Sequence, residues 1–404
     1  MSPTRTFAIS ILLVALTLSV GNASAESDSL RPEVSKPLQS AQELMKNKKY
    51  KEALAKVAEL DAIEGKTPYE IFITERMRGS AASAAGDADV AAKAFDTVIG
   101  SGRLPVAEQL KLMEAMAGNY YRNKDYRKTV IWTQRYLKDD GSNATMHALL
   151  IQSQYLSGDY SAAAKGLSAE FQADDKAARV PAEDRLRLLG SSYQQIKDDA
   201  GYIGVLERLV AHYPKKEYWA DLIVRIEAKP GFSERLSLDV YRLQMATGNM
   251  SVPNHFMEMA QMALQAGYPA EAKKVIDLGF SSGVLGSGAE ADRHKRLRDM
   301  VNTKFEEDVK AMGQGDSQAT NAKEGIALVN IGYNYATHNQ FDKAIAMMEQ
   351  GLAKGGLKRP EDGKLRLGQV YIEAGKKARA VQILKAVQGT DGTADLARLW
   401  TYLN

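Results

Sequence analysis

A small residue pattern returns along this chain at intervals of one helical hairpin, and that repetition constrains the fold more than any single residue does. It reads small residue, then aromatic or Ala within four residues, a turn containing Gly or Asn, an aromatic, and Ala three residues later. Near the C-terminus these are Gly332, Tyr335, His338-Asn339, Phe341 and Ala344, and the pattern returns as Gly368, Tyr371, Gly375 and Ala380. Aligned on the small residue, the units fall at Ala41, Gly79, Ala117, Ile151, Gly190, Ile223, Ala260, Gly332 and Gly368. The gaps run from 33 to 39 residues, except one of 72, which is twice 36 and predicts a degenerate unit between Ala260 and Gly332. A period of this length predicts an all-α solenoid of stacked antiparallel helix pairs, an architecture that binds rather than transforms.

Local composition agrees. Apolar residues recur at three- and four-residue spacing among Ala, Leu, Met, Lys, Gln and Glu, the stronger helix formers. No stretch alternates β-branched and polar residues with period two, so no sheet is predicted. A helix of about 14 residues is roughly 20 Å long and cannot bury its apolar stripe alone. Stacking against neighbouring pairs does that, with Gly or Ala in the first helix allowing the second to approach closely.

On these residues the chain resembles the tetratricopeptide repeat family over most of residues 38–390. Leu189-Gly190, Tyr193, Leu206 and Pro214 keep the family spacing, and Trp219 with Leu222 supplies its W-x2-L opening. Gly158-Asp159-Tyr160 with Ala163, and Gly86 with Ala91 and Phe95, supply its turn and second-helix signature. The resemblance implies a right-handed superhelix. A looser similarity, over about seventy residues, is to repeat proteins that accompany ExbB–ExbD–TonB energising systems. It rests on Glu217-Tyr218-Trp219, Leu222, Arg242 and Gly248-Asn249, and on Gly267-Tyr268-Pro269 with Ala272 and Gly279. It implies a role supporting TonB-dependent uptake.

The pattern lapses in places. Asp198 to Gly201 fills one turn and Tyr202 stands where Ala is expected. Lys229-Pro230-Gly231 predicts a sharp break, followed by a long helix through Met245. Gly279 to Gly288 is rich in Gly and Ser, Ala289 to Met312 reads as one long charged helix, and Gly313 to Asn321 as a flexible loop. The expected organisation is therefore a leader at 26–37, a main array at 38–285, an irregular connector at 286–324, and C-terminal repeats at 325–404. Thr393 to Leu403 forms the expected capping helix, with Trp400 and Tyr402 on its buried side.

The N-terminus reads as a cleavable export signal. Arg5 is the basic start, Phe7 to Val20 is apolar apart from Ser and Thr, and Ala23-Ser24-Ala25 is a small-residue cleavage site, with cleavage expected after Ala25. The apolar run is shorter than the roughly 20 residues of a membrane span, so no span is expected in the mature chain. The remaining 52 basic and 50 acidic residues form no basic stripe for nucleic acid. The absence of Cys excludes disulfides, thiolate zinc sites and a lipidated cysteine. Together these point to a periplasmic protein of the Gram-negative cell envelope.

No catalytic or cofactor signature emerges. The five histidines form no i, i+4 pair and no H-E-x-x-H. Gly65-Lys66-Thr67 lacks the upstream glycine of a phosphate-binding loop, since that position is Leu60. No G-x-S-x-G elbow occurs. The chain reads as a non-enzyme with no cofactor and no metal.

In the repeat family, ligands lie along the concave surface lined by the first helices. Carried over by register, that face holds Arg76, Glu114, Tyr121, Arg122, Gln152, Tyr155, Arg187, Gln194, Gln261, Tyr333 and Gln369. The Lys/Asn pairs of the family's carboxylate clamp are absent. Four units carry Gln at one equivalent site, Gln42, Gln152, Gln261 and Gln369, a ladder able to hydrogen-bond an extended backbone. The expected function is a periplasmic adaptor binding another envelope protein or peptide on this face. Two alternatives remain open: a self-assembling structural protein, and a cell-wall-acting enzyme with a site at 279–325.

Overall fold

The structure, a computed structural model, describes residues 28–403; the expected export signal and its cleavage point lie outside the described residues. Among the described residues there are twenty-one α-helices and no β-strand. The chain divides after Gly158 into two compact units.

The first unit contains α1 (Pro32–Lys46), α2 (Tyr50–Ala58), α3 (Pro68–Ala85), α4 (Ala88–Gly100), α5 (Val106–Arg122), α6 (Tyr126–Asp139) and α7 (Ala144–Leu156). The second opens with α8 (Tyr160–Lys176), α9 (Glu183–Gln195), α10 (Asp199–His212), α11 (Lys216–Glu227) and α12 (Ser237–Ala246). It continues with α13 (Pro253–Gln265), α14 (Pro269–Ser281), α15 (Ala291–Ala311), α16 (Asp316–Asn321) and α17 (Ile326–Thr337). It ends with α18 (Phe341–Lys354), α19 (Pro360–Glu373), α20 (Lys377–Lys385) and α21 (Thr393–Trp400).

The repeat register is visible in the backbone. All nine aligned small residues, Ala41 to Gly368, are buried. Seven residues beyond eight of them the chain turns left-handed, at Lys48, Gly86, Lys124, Gly158, Lys197, Gly267, Asn339 and Gly375. At the ninth, beyond Ile223, the position is Pro230, whose ring forbids positive φ. The left-handed residue there is Gly231 instead (φ 85°), and the hairpin opens. Four of the turns continue with an Asp that caps the second helix. Asp87, Asp125, Asp159 and Asp198 accept from the backbone N–H three residues on, at 2.8–3.1 Å.

Packing follows from the same register. Twelve residues after the small residue comes Ala53, Ala91, Ala163, Ala272, Ala344 or Ala380, each with no exposed surface. A Cβ added to Gly79 would lie 2.4 Å from the Phe95 ring, and one added to Gly368 would lie 2.4 Å from Leu384. Tyr202 replaces the usual Ala because Gly190 leaves room for its ring. Where a Tyr stands three residues after the small residue, it ties its pair to the one before. Tyr371 donates to Glu349 of α18 at 2.6 Å, Tyr335 to Asp316 of α16 at 2.9 Å, and Tyr120 to Asp89 of α4 at 2.8 Å.

Several local expectations need correction. The leader is not extended to Pro37, because α1 begins at Pro32. Proline at the first helical position loses no hydrogen bond, and Val34, Leu38 and Ala41 bury one stripe against Val57 and Leu60. The helix after the break is short: a 3-10 turn at Glu234–Leu236 precedes the ten residues of α12. The expected loop at 313–321 holds α16, whose Ala319 is buried. The degenerate unit is α15 with α16, a 21-residue helix followed by one of six. The final helix stops at Trp400, which is buried, while Tyr402 is half-buried.

The start of α1 is held by a clamp. The Arg31 guanidinium and backbone N–H both donate to Glu70, at 2.9–3.2 Å, and Glu70 also closes the capping box with Thr67 at the head of α3. Hydrogen bonds from Arg31 outweigh burial and lower the Glu70 carboxyl from 4.5 to about 2. A lowered carboxylate contributes stability that is present above its unfolded pKa and lost as pH falls through the folded one. The urea midpoint of the native chain should therefore fall between about pH 4.5 and 2, and more steeply than that of Glu70→Gln. Packing gives a second prediction. Gly368→Ala should lower stability by about 1–3 kcal/mol through overpacking. Gly204→Ala, where nothing lies within 4 Å, should raise it by up to about 1 kcal/mol. Thermal melts of the two variants check this.

Candidate partner-binding surfaces

In the first unit the register residues come from α3, α5 and α7. Glu114, Arg122 and Gln152 are exposed, while Arg76, Tyr121 and Tyr155 are half-buried. Their neighbours hold them in place. Arg76 donates to Glu108 at 2.9 Å, joining α3 to α5. Arg122 donates to Asn119, whose amide in turn donates to Ser83 of α3 at 2.6 Å. Tyr121 packs edge-on against Tyr126 with centroids 5.6 Å apart, and burial raises its phenol pKa. The result is a polar and aromatic surface on which Arg76, Tyr121 and Arg122 are held by their neighbours.

In the second unit the same register is divided. Arg187 and Gln194 on α9 and Gln261 on α13 are exposed. Tyr333 and Gln369 are not: they are 5% and 2% exposed. The Gln ladder is thus open at Gln152 and Gln261, partly covered at Gln42, and closed at Gln369.

The closure comes from α12. Arg242 is 4% exposed, and its Nε and Nη2 donate to the two oxygens of Glu271 at 2.7 and 2.8 Å. Its Nη1 donates to Asp239 at 2.7 Å. The guanidinium lies 4.6 Å from the centroid of the Tyr333 ring and 5.7 Å from that of Tyr268, and the two rings meet edge-on at 4.8 Å. Arg366 of α19 sits 3.7 Å from the second oxygen of Asp239. Burial alone would raise Asp239, but Arg242 and Arg366 outweigh it and hold the carboxyl below its usual value. Burial pushes the Tyr333 hydroxyl well upward. Two cations and two carboxylates balance formally, as a buried cluster requires.

Ion pairs extend this contact along the C-terminal helices. Lys229 meets Asp395 at 2.9 Å, Arg235 meets Asp362 at 2.6 Å and also Asp391, and Arg398 meets Glu207 at 2.9 Å. Tyr402 also donates to Glu207, at 3.2 Å. The Ser233 N–H donates to the Asp391 carbonyl at 2.9 Å, and Phe232 covers Gly392. The capping helix therefore seals onto α10–α12 as well as onto its own repeat.

The cavities are small. One of about 20 Å³ is lined by Glu271, Tyr333, Gln369 and their neighbours, enough for a water. One of about 80 Å³ lies beside Asp308, Asp316 and Tyr335. Neither approaches the several hundred Å³ of a typical small-molecule site. Among the described residues no group of three or more His, Cys, Asp or Glu side chains could hold a metal ion. Other conspicuous residues have local duties. Lys66 donates to the Leu60 and Ile63 carbonyls at 2.6 and 2.7 Å, buried His294 accepts from the Gly286 N–H, and Asn143 caps α7.

Sequence reasoning missed the role of Arg242, which entered only through a family likeness. A signal was present: Asp239 and Arg242 are interleaved with Leu238, Val240 and Leu243, so two charges sit inside an apolar run.

The tetratricopeptide repeat family model matches residues 186–216 and 362–390. These are α9 with α10 and α19 with α20; six further pairs turn left-handed at the same register position. The chain thus carries tetratricopeptide repeats at these two places. No curated protein matches it. Among solved structures, it is similar to the TPR2AB-domain:pHSP90 complex of yeast Sti1. Identity is 12%, coverage is 74% of this chain and 99% of that one, and the TM-score is 0.24. The C-terminal part of a repeat protein from Cytophaga hutchinsonii shows 14% identity, 81% and 98% coverage, and a TM-score of 0.25. Yeast Tom70 shows 10% identity, 90% and 94% coverage, and a TM-score of 0.20. At such scores the likeness says nothing about partner or binding mode. Tetratricopeptide repeats suggest a protein–protein interaction scaffold, and members of the family are generally non-catalytic.

Arg242→Ala should be strongly destabilising, by about 3–5 kcal/mol, because it takes the guanidinium from buried Glu271 and leaves buried Asp239 with Arg366 alone. Arg122→Ala, on the exposed face, should change stability by less than about 0.5 kcal/mol. Urea denaturation of both variants checks the contrast.

Proposed function

We propose that this protein is a non-catalytic scaffold of the Gram-negative periplasm. It binds a segment of another envelope protein along the first-helix face of α3, α5 and α7. The observation that carries the reading is the polar and aromatic surface around Tyr121 and Arg122, which Tyr126 and Asn119 hold in place, with Gln152 and Tyr155 beside them in register; the two cavities described above are too small for a metabolite. Half-buried Tyr side chains offer apolar contact at low entropic cost, and Arg and Gln offer hydrogen bonds to an extended or helical backbone. The N-terminal export signal supports the compartment, as does the absence of cysteine. The likeness around Glu217 to Gly279 supports a role beside a TonB-energised uptake system.

The test is capture from detergent-solubilised envelope by tagged mature chain, residues 26–404. It is run beside a variant with Tyr121, Arg122, Tyr155 and Arg187 changed to Ala. An envelope protein enriched by the native chain and reduced at least tenfold by the variant is the expected outcome. Equal enrichment by both would move the binding surface off this face. Unimpaired TonB-dependent growth of a deletion strain would remove the transport role.

A further inference from the structure

Eight turns of this chain reach the same left-handed position, and the residues that occupy it differ in kind. Five are Gly86, Gly158, Gly267, Asn339 and Gly375, the residue types which that conformation favours. The other three are lysines: Lys48 (φ 59°), Lys124 (φ 60°) and Lys197 (φ 59°). A lysine strains the backbone there. All three are exposed, and none makes a hydrogen bond or ion pair among the described residues. Backbone strain that no contact offsets is the kind found at functional positions.

Two of these lysines belong to the first unit, where the turns of successive helix pairs share one register and hence one edge of the stack. Residues 46–52 hold four lysines and one Glu, and residues 122–128 hold two arginines, two lysines and one Asp. The turn between them, 86–89, holds two Asp. Eight cations against four carboxylates leave a surplus of four at this edge, where the whole chain has a surplus of three. The carboxylates are engaged. Asp87 and Asp125 cap α4 and α6, Asp89 pairs with Lys128 at 2.6 Å, and Glu52 pairs with Lys49 at 3.3 Å. Lys48, Lys51, Lys124 and Arg127 are exposed and engage no carboxylate among the described residues.

We infer that this edge of the first unit docks on the surface of an anionic lipid bilayer. Turn tips are the outermost points of a stack, so a plane can meet them together. An acidic polypeptide would need a groove, and both cavities lie in the second unit. Three of the four unengaged cations are lysines, which act as flexible point charges rather than as forks shaped for one carboxylate. Juxtaposed lysines of this kind are drawn to anionic headgroups within a Debye length. No large apolar side chain is exposed in the three turns. No helix among the described residues is long and apolar enough to cross a membrane. The contact is therefore superficial and electrostatic.

The test is flotation of the full mature chain, residues 26–404, with vesicles of equal parts phosphatidylglycerol and phosphatidylcholine, beside vesicles of phosphatidylcholine alone. Binding to the first kind only, and its loss in high salt, is expected. Lys48→Gly with Lys124→Gly should weaken binding at least tenfold, yet leave the urea midpoint equal or higher, because Gly relieves the left-handed strain. Lys51→Gln with Arg127→Gln, which leaves the turn backbone alone, should weaken it to a similar degree. Lys295→Gln with Arg296→Gln removes the same charge from exposed positions of α15 and should leave binding unchanged. Equal weakening by the α15 variant would overturn the inference, since net charge alone would then account for binding. Full binding by both edge variants would overturn it too. A lower urea midpoint for the glycine variant would do the same, by showing that the lysines serve the turn itself. Binding to polyglutamate but not to vesicles would replace the bilayer with an acidic polypeptide. The assay leaves Tyr121, Arg122 and Tyr155 untouched, so its failure is distinct from failure of envelope capture.

Discussion

The close approach of two helices at one small residue per repeat is the contact on which the rest of this structure depends. Where Gly79, Gly332 or Gly368 faces Phe95, Met348 or Leu384, a single added carbon would overlap the opposing side chain. That spacing lets an Ala twelve residues on sit at the crossing with no exposed surface. It also places a Tyr three residues on against the preceding pair, where its hydroxyl finds a carboxylate. Short-range contact between successive pairs thus builds a core that no single helix could provide.

A core assembled this way leaves the outer positions of the first helices outside it, and the two units use them differently. In the first unit they carry Tyr, Arg and Gln on a solvated surface. In the second, α12 leaves the repeat geometry at a proline and covers Tyr333 and Gln369 with a buried ionic cluster. Buried ion pairs add little net stability compared with apolar packing, because desolvation offsets attraction.

Much of this was legible in the residues. The positions from Ala41 to Gly368, the left-handed turns seven residues later and the degenerate unit between Ala260 and Gly332 all follow from a period that any one-dimensional stack must keep. The exposed register positions of the first unit were legible for the same reason. Less legible were the short helices. Pro32 starts α1 earlier than its composition suggests, because Val34, Leu38 and Ala41 have a stripe to bury. Asp316–Asn321 turns helical because Ala319 finds a covered place.

The sequence by itself determined the helix pairs, their register and their turns, because these depend on contacts within about forty residues and on the steric limits of Gly, Ala and Pro. Only the tertiary structure decided that Arg242 meets Glu271, Tyr333 and Arg366, and that Arg398 reaches Glu207. The last of these pairs joins residues 191 positions apart, and no local pattern encodes it. It exists because one proline breaks one hairpin and the C-terminal repeats close over the helix that it released.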